Sequence, residues 1–464
     1  MNTRFASPPV DRRRFLQVAG LGTLVVTTAA CGGFAGRSEG EAATDGILMT
    51  GWGSDVEKEH VRSAVDGFVK GGKNRKVTYQ FIPNDGYEAK MNTLVAAGDL
   101  PDLSYQSEGL AMRLASQGRL ANILDYEDEY PQIGDMLPTV VHRWAPGKAI
   151  TQLAVEMMMM WYNAEAIKEA GVPTPPAVAG KAWSWDAFVG YCEKLTVDRE
   201  GRHPTESGFD PKAVKQWGTL APTGWPQFYP LLRSNGADIV DETGKRCVLD
   251  SAAAVDVVSD IHDLIYEHHV APTPAQFKTF AATFTADLLE NRRVATVLDG
   301  QWNLLDLGQM KLDYGVGVLP RFEEPKTVNL CNAVVVSAKS KKVDLAIELM
   351  LHLADPTKND LYAKGLWMPL GKKYYTDPKA VASWTDNPVH PKEFKTAALD
   401  YLVECGEEEP AYKIKNWDQI NNILTAEMDG LFASAKGGKA VVRAAMQKAK
   451  KRIDPLLRGV YPSA

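Results

Sequence analysis

Two apolar runs, Gly46-Ile47-Leu48-Met49-Thr50 and Val77-Thr78-Tyr79-Gln80-Phe81-Ile82, flank a stretch in which Val61, Val65, Phe68 and Val69 recur at helical spacing. Strand, helix and strand in that order form the unit of a parallel sheet with helices packed on it, so the fold class expected is α/β. The style repeats down the chain. Ser184 is placed to cap a helix on which Trp185, Phe188, Val189, Cys192 and Leu195 share one face. Val255, Val258, Ile261 and Ile265 mark another helix, and Ala346, Leu349, Met350 and Leu353 a third that Asp355-Pro356 ends. Val294-Ala295-Thr296-Val297-Leu298 and Val334-Val335-Val336 read as buried strands, and the stretch from about Trp417 to Leu457 as helical with a break at Gly437-Gly438. At 464 residues the chain exceeds one core of ordinary size, so two lobes are expected.

The first thirty residues read as a targeting segment. Arg12-Arg13-Arg14-Phe15-Leu16 precedes an apolar run from Val18 to Val26, then Thr28-Ala29-Ala30-Cys31 and a small, polar stretch through Gly46. A charged start, a short apolar middle and a small-residue cleavage site make a signal peptide. The apolar run falls short of the ~20 residues that a spanning helix needs. The Arg-Arg-x-Phe-Leu order resembles a twin-arginine export signal. Ala29-Ala30-Cys31 resembles a lipobox, with Thr28 where Leu is usual, which implies Cys31 as a lipid anchor. The chain is thus expected outside the cytoplasm, anchored to the outer face of the cell membrane, with residues 1–30 removed and 31–45 a flexible tether.

Charge and cysteine content exclude several classes. The net charge is −6, and the leader carries four arginines against one aspartate, so the remainder is more acidic still. No basic stripe interrupts it, which sets nucleic-acid binding aside. Cys192, Cys247, Cys331 and Cys405 are far apart in sequence, so no CxxC metal or redox motif exists. Export permits disulfides, and both disulfides and buried free thiols stay open at this stage.

The order of motifs over about Ile47 to Leu457 resembles the family 1 bacterial extracellular solute-binding proteins, the relatives of maltose-binding protein that serve ABC importers. Lys90 to Asp102 matches the helix, glycine cap and "GD-x-PD" turn. Ala154-Val155-Glu156 through Trp161-Tyr162-Asn163 matches the strand that crosses between lobes. Glu165 to Val172 followed by Trp185-Asp186, Asn235-Gly236-Ala237-Asp238 with Asp250-Ser251, Asp299-Gly300-Gln301-Trp302, and Tyr314 to Pro320 follow in the family's order. Three departures stand out: Asn329-Leu330-Cys331-Asn332-Ala333 replaces a Gly-rich stretch, Ala164 replaces a basic residue, and Met157 to Met160 occupy the crossing strand, where methionine usually fills core. The resemblance implies a type II periplasmic-binding-protein-like fold of two lobes joined by a hinge. Residues 46–153 and 299–340 would form one lobe, and 154–298 and 341–464 the other. It also implies a monomeric receptor, without cofactor or metal, that closes on a carbohydrate and delivers it to a permease.

Sugars present apolar C–H faces and hydroxyl rims, so their sites need flat aromatic surfaces and converging hydrogen-bond groups in a cleft. By the resemblance, the expected ligand-binding residues are Trp52, Asp55, Trp225, Trp302, Trp367 and Trp417, with Glu108 and Glu156 as hydroxyl-binding carboxylates. Two other classes compete. Tyr374-Tyr375 would suit iron capture, but Lys372 and Lys373 precede them and oppose a cation. Polyols and polyamines would suit the same fold. A secreted glycoside-acting enzyme would need a carboxylate pair ~5–10 Å apart, which sequence cannot show. G-x-S-x-G and H-E-x-x-H are both missing, and His268-His269 are neighbours that face different ways on a helix.

Overall fold

β1 (Ile47–Gly51) and β2 (Val77–Phe81) pair in parallel, with Ile47 opposite Val77 and Gly51 opposite Phe81. The helix between them, α1 (Asp55–Lys70), begins where the Ser54 side chain accepts a hydrogen bond from the Glu57 N–H at 3.1 Å. It buries Val61, Ala64, Val65 and Phe68 on one face. The computed structural model describes residues 46–281 and 284–462. The leader, the tether and Cys31 lie outside them. α2 (Asn84–Ala97) stops at Gly98, whose φ of 82° is the left-handed cap that favours glycine. β3 (Leu103–Gln106) then runs parallel to β1 on its other side, and α3 (Glu108–Ser116) follows at once.

The long strand Gln152–Asn163 is apolar almost throughout and buried on both faces, as a central strand must be. Its first half pairs antiparallel with the strand Thr327–Val336, Glu156 opposite Leu330. Its second half pairs with Thr296–Gly300 on one side and Tyr314–Gly317 on the other. Thr327–Val336 also runs antiparallel to β3 and carries Gly406–Glu408 along its start. These eight strands therefore belong to one mixed sheet that Gln152–Asn163 threads, and helices flank it; two small two-stranded sheets lie outside it. Met157 to Met160 are at most 1% exposed and fill the core around this strand. Trp161 beside them donates its Nε1–H to the Gly300 carbonyl at 2.9 Å.

Several expectations shift. The strand read over 294–298 lies at Thr296–Gly300, because Val294 and Ala295 bridge instead to Trp217 and Asn163. The helix Val343–Leu353, expected with residues 154–298, packs on α1, with His352 5.3 Å from the Phe68 ring and Glu348 paired to Arg75 at 3.2 Å. The C-terminal helices Trp417–Phe432 and Lys439–Ile453 flank Gly437-Gly438 as read. Cys192, Cys247, Cys331 and Cys405 are all free thiols, the first three buried. Among the described residues no helix is long and apolar enough to cross a membrane.

Candidate functional site

Because β1 and β3 are neighbours, the residues that leave them converge. Trp52 stands edge-on to Tyr87 at 4.8 Å and to Tyr105 at 5.2 Å between ring centroids. Gly51 carries no side chain where the Tyr105 ring and the Tyr79 hydroxyl approach, both 3.3 Å from where a Cβ would sit. The Tyr79 and Tyr105 hydroxyls are buried without a hydrogen-bond partner, a costly state for a polar group unless something occupies it.

Four carboxyl groups influence one another here, and two of them, Glu57 and Glu156, act on Tyr105. Glu156 is the single Asp, Glu, Lys or Arg between Gln152 and Asn163. Burial, with the Glu108 charge adding, pushes its carboxyl up to about 8. Glu108 opens α3 directly after β3. Burial raises it to about 7, opposed by its own backbone N–H and aided by Asp418 and Glu88. Glu57, in the first turn of α1, is raised by burial and by the charges of Glu156 and Asp306. Glu409 is 1% exposed and accepts a hydrogen bond from the Cys331 N–H at 3.2 Å. Burial and the Glu108 charge raise it too. Beside it Tyr412 donates to the Cys331 carbonyl at 2.7 Å and stacks on His142 at 3.6 Å.

A second wall is built at the end of Thr296–Gly300. Asp299 accepts hydrogen bonds from Thr285 Oγ1, Asn303 Nδ2 and the Gly300 N–H at 2.5–2.9 Å, with Gln227 Nε2 at 3.4 Å. The turn so braced lays the Trp302 ring over Gly300, where an added Cβ would fall 2.1 Å from it. One turn further, Asp306 acts on Glu57. A cavity of about 610 Å³ opens beside this turn, lined by Thr223, Gly224, Gln227, Phe277, Asp299 and Phe432 among others.

The residues singled out in the sequence thus divide. Trp52, Glu108, Glu156 and Trp302 keep partial exposure and belong to the two walls described above. Trp225 opens the helix Trp225–Ser234 instead of a loop and meets Trp417 edge-on at 5.5 Å. Trp417 itself is 3% exposed, and its neighbour Asp418 is the residue that acts on Glu108. Trp367 is fully buried, packed near Tyr105 and Tyr362, and presents no surface to a solute here. Asp55 is exposed and stands apart from the carboxylate group, which takes Glu57 from the same helical turn. Tyr374 and Tyr375 are buried, and the Tyr375 hydroxyl is spent on the Pro369 carbonyl at 2.8 Å. Glu57, Glu409 and Tyr105 escaped the sequence reading. Only for Tyr105, at the end of a strand next to Glu108, was there a local hint.

Comparison with known proteins adds the family. No curated protein sequence matches the chain significantly. Among solved structures, the chain is similar to an ABC substrate-binding protein of Listeria monocytogenes in complex with cycloalternan. That match has a TM-score of 0.71 and 20% identity over 88% of this chain and 98% of the other. It is similar to a solute-binding protein of Thermotoga lettingae bound with alpha-D-tagatose, with a TM-score of 0.72 and 16% identity over 89% and 100%. The GacH receptor of Streptomyces glaucescens, solved unliganded and with acarbose, matches with a TM-score of 0.69 and 19% identity over 89% and 100%. These likenesses fix the two-lobe, type II fold. The family model of the bacterial extracellular solute-binding proteins matches residues 54–360, well over half of the sequence. The chain belongs to the bacterial extracellular solute-binding protein family.

Proposed function

We propose that this protein is the extracytoplasmic receptor of an ABC importer and that its solute is a carbohydrate. Its role is capture and delivery, not catalysis. The observation that carries this reading is the pair of partly exposed rings, Trp52 and Trp302, together with the enclosed carboxyl groups of Glu57, Glu108 and Glu156. Aromatic faces suit the C–H side of a pyranose, and carboxylates suit its hydroxyls. The solved relatives named above carry cycloalternan, tagatose and acarbose, which supports the same ligand class. The mechanism is hinge closure: the solute favours the closed form by the contacts it makes with both lobes at once. A permease receives the solute from that form. The reading also includes a monomer held at the membrane by a lipid on Cys31, after export through Arg12 and Arg13.

A thermal-shift screen against mono- and oligosaccharides tests it. A ligand at 100 times its dissociation constant adds about 2.7 kcal/mol, a clear rise in melting temperature. The same sugars should be recovered unchanged. Failure of every sugar to shift the melt, with a shift from some other solute class, would reject the carbohydrate assignment.

A further inference from the structure

Glu57, Glu108, Glu156 and Glu409 reach one region from four separate elements, and none of them is ion-paired to Lys or Arg among the described residues. The sheet explains the convergence. Cys331, which holds Glu409 through its N–H, lies in register with Val155, next to Glu156. On the other side of the same strand, Ala333 faces Gln106, two residues before Glu108. Glu57 enters from α1 and feels the charge of Glu156. Elsewhere this chain compensates its enclosed carboxylates. Glu427, 7% exposed, is held by Arg452 at 2.6 Å and Lys448 at 2.8 Å. Glu407 is held by Lys326 at 2.8 Å and Arg233 at 3.2 Å. A carboxylate taken from water without a counter-charge is costly, so the uncompensated group is a site built for a charge brought from outside.

A second observation points the same way. The Tyr105 side chain is fully buried, its hydroxyl has no partner, and the charges of both Glu57 and Glu156 act on it. An ammonium group carries three N–H donors and no acceptor. Two carboxylates and one phenol oxygen are three acceptors, and charge-assisted bonds to carboxylates are about twice as strong as neutral ones.

Resting on the carbohydrate reading, we infer that the solute is a basic amino sugar, or an oligosaccharide containing one, whose ammonium is held by Glu57, Glu156 and the Tyr105 hydroxyl while its ring lies beside Trp52. Glu108 and Glu409 supply further negative potential around that position.

A matched series of β-1,4 disaccharides tests this, titrated calorimetrically into the purified protein: the free diamine of the glucosamine dimer, its di-N-acetyl form, and cellobiose. The β-1,4 skeleton is constant and only the carbon-2 substituent changes, from ammonium to a bulkier neutral acetamide or a smaller neutral hydroxyl. The diamine should bind at least tenfold more tightly than either neutral dimer, and the advantage should shrink in high salt. Glu156→Gln and Glu57→Gln should each remove most of that advantage, with melting curves confirming that both variants are folded. Equal or tighter binding of a neutral dimer overturns the inference and leaves the carbohydrate reading standing. Binding of spermidine with no sugar bound overturns the carbohydrate reading and this inference with it. No binding by any member of the series also overturns the inference.

Discussion

Glu156 is the one charge in a strand otherwise made of Leu, Ala, Val, Met, Trp and Tyr between its polar ends. Burial first, and Glu108 second, raise its carboxyl to about 8. The folded state therefore holds this proton more tightly than the unfolded chain, where a glutamate titrates near 4.3. Stability is complete at pH values below that and declines as pH climbs towards 8. Glu57, Glu108 and Glu409 are shifted in the same direction. Glu156→Gln should raise the ligand-free melting temperature at pH 8.5 by about 2 °C or more, and the two proteins should melt together near pH 4.5. The tryptophans separate in a different way. Trp302→Ala should weaken solute binding about tenfold or more with little change in the ligand-free melt. Trp367→Ala, in full burial, should cost about 3–5 kcal/mol of stability. Paired melting and titration experiments on the two variants check both outcomes. Family order names Glu108, Glu156 and Trp302 as candidates. It could not separate Trp302 from Trp367, since which tryptophan is enclosed depends on what packs over it. Asp55 and Glu57 are two apart on a helix and face different ways, and only Glu57 is enclosed with Glu156 acting on it. Glu409 is tied to the strand beside Glu156 through the Cys331 N–H, 78 residues before it, and no local pattern records that.

At the scale of elements, Asp299 joins a strand end, a turn and a short helix through hydrogen bonds from Thr285, Gly300, Asn303 and Gln227. Its removal leaves several donors without partners in an enclosed place. Asp299→Ala should therefore lower unfolding stability by roughly 2–3 kcal/mol, measured by denaturant titration. It should also loosen Trp302, seen as a change in tryptophan fluorescence. Most elements were legible. The opening strand-helix-strand unit, the Ser184-capped helix and the paired C-terminal helices all follow from periodicity and capping. What was not legible was allegiance. The helix Val343–Leu353 shows an apolar face, but nothing in that face says that Phe68 and Arg75 will meet it. Likewise the strand near 294–300 slid by two residues because its first residue, Val294, bridges to Trp217 outside the sheet.

For the whole molecule, location and fold are separate questions. Two acyl chains hold a protein at a bilayer where one holds it only marginally, at about 0.8 kcal/mol per buried CH₂. Under the lipid-anchor proposal, Cys31→Ser should move the protein from the membrane fraction to the medium or leave it unprocessed. Replacing Arg12 and Arg13 with Lys should block export altogether. Fractionation followed by immunoblotting reads both, and a processed C31S protein that still sediments with membrane would reject the anchor. The free thiols at Cys192, Cys247, Cys331 and Cys405 mean that no oxidation step is required before the fold is complete.

The strand Gln152–Asn163 has one further consequence. It pairs with Thr327–Val336 along one half and with Thr296–Gly300 and Tyr314–Gly317 along the other, so under the hinge-closure proposal the strand that joins the lobes is one whose backbone is held by neighbouring strands along its length. A hinge of this kind can bend, but it cannot fray. The amide protons of Met157 to Met160 should accordingly be among the slowest to exchange with deuterated solvent, released only when the entire chain unfolds. Opening and closing the cleft, however often it happens, should leave their exchange unchanged.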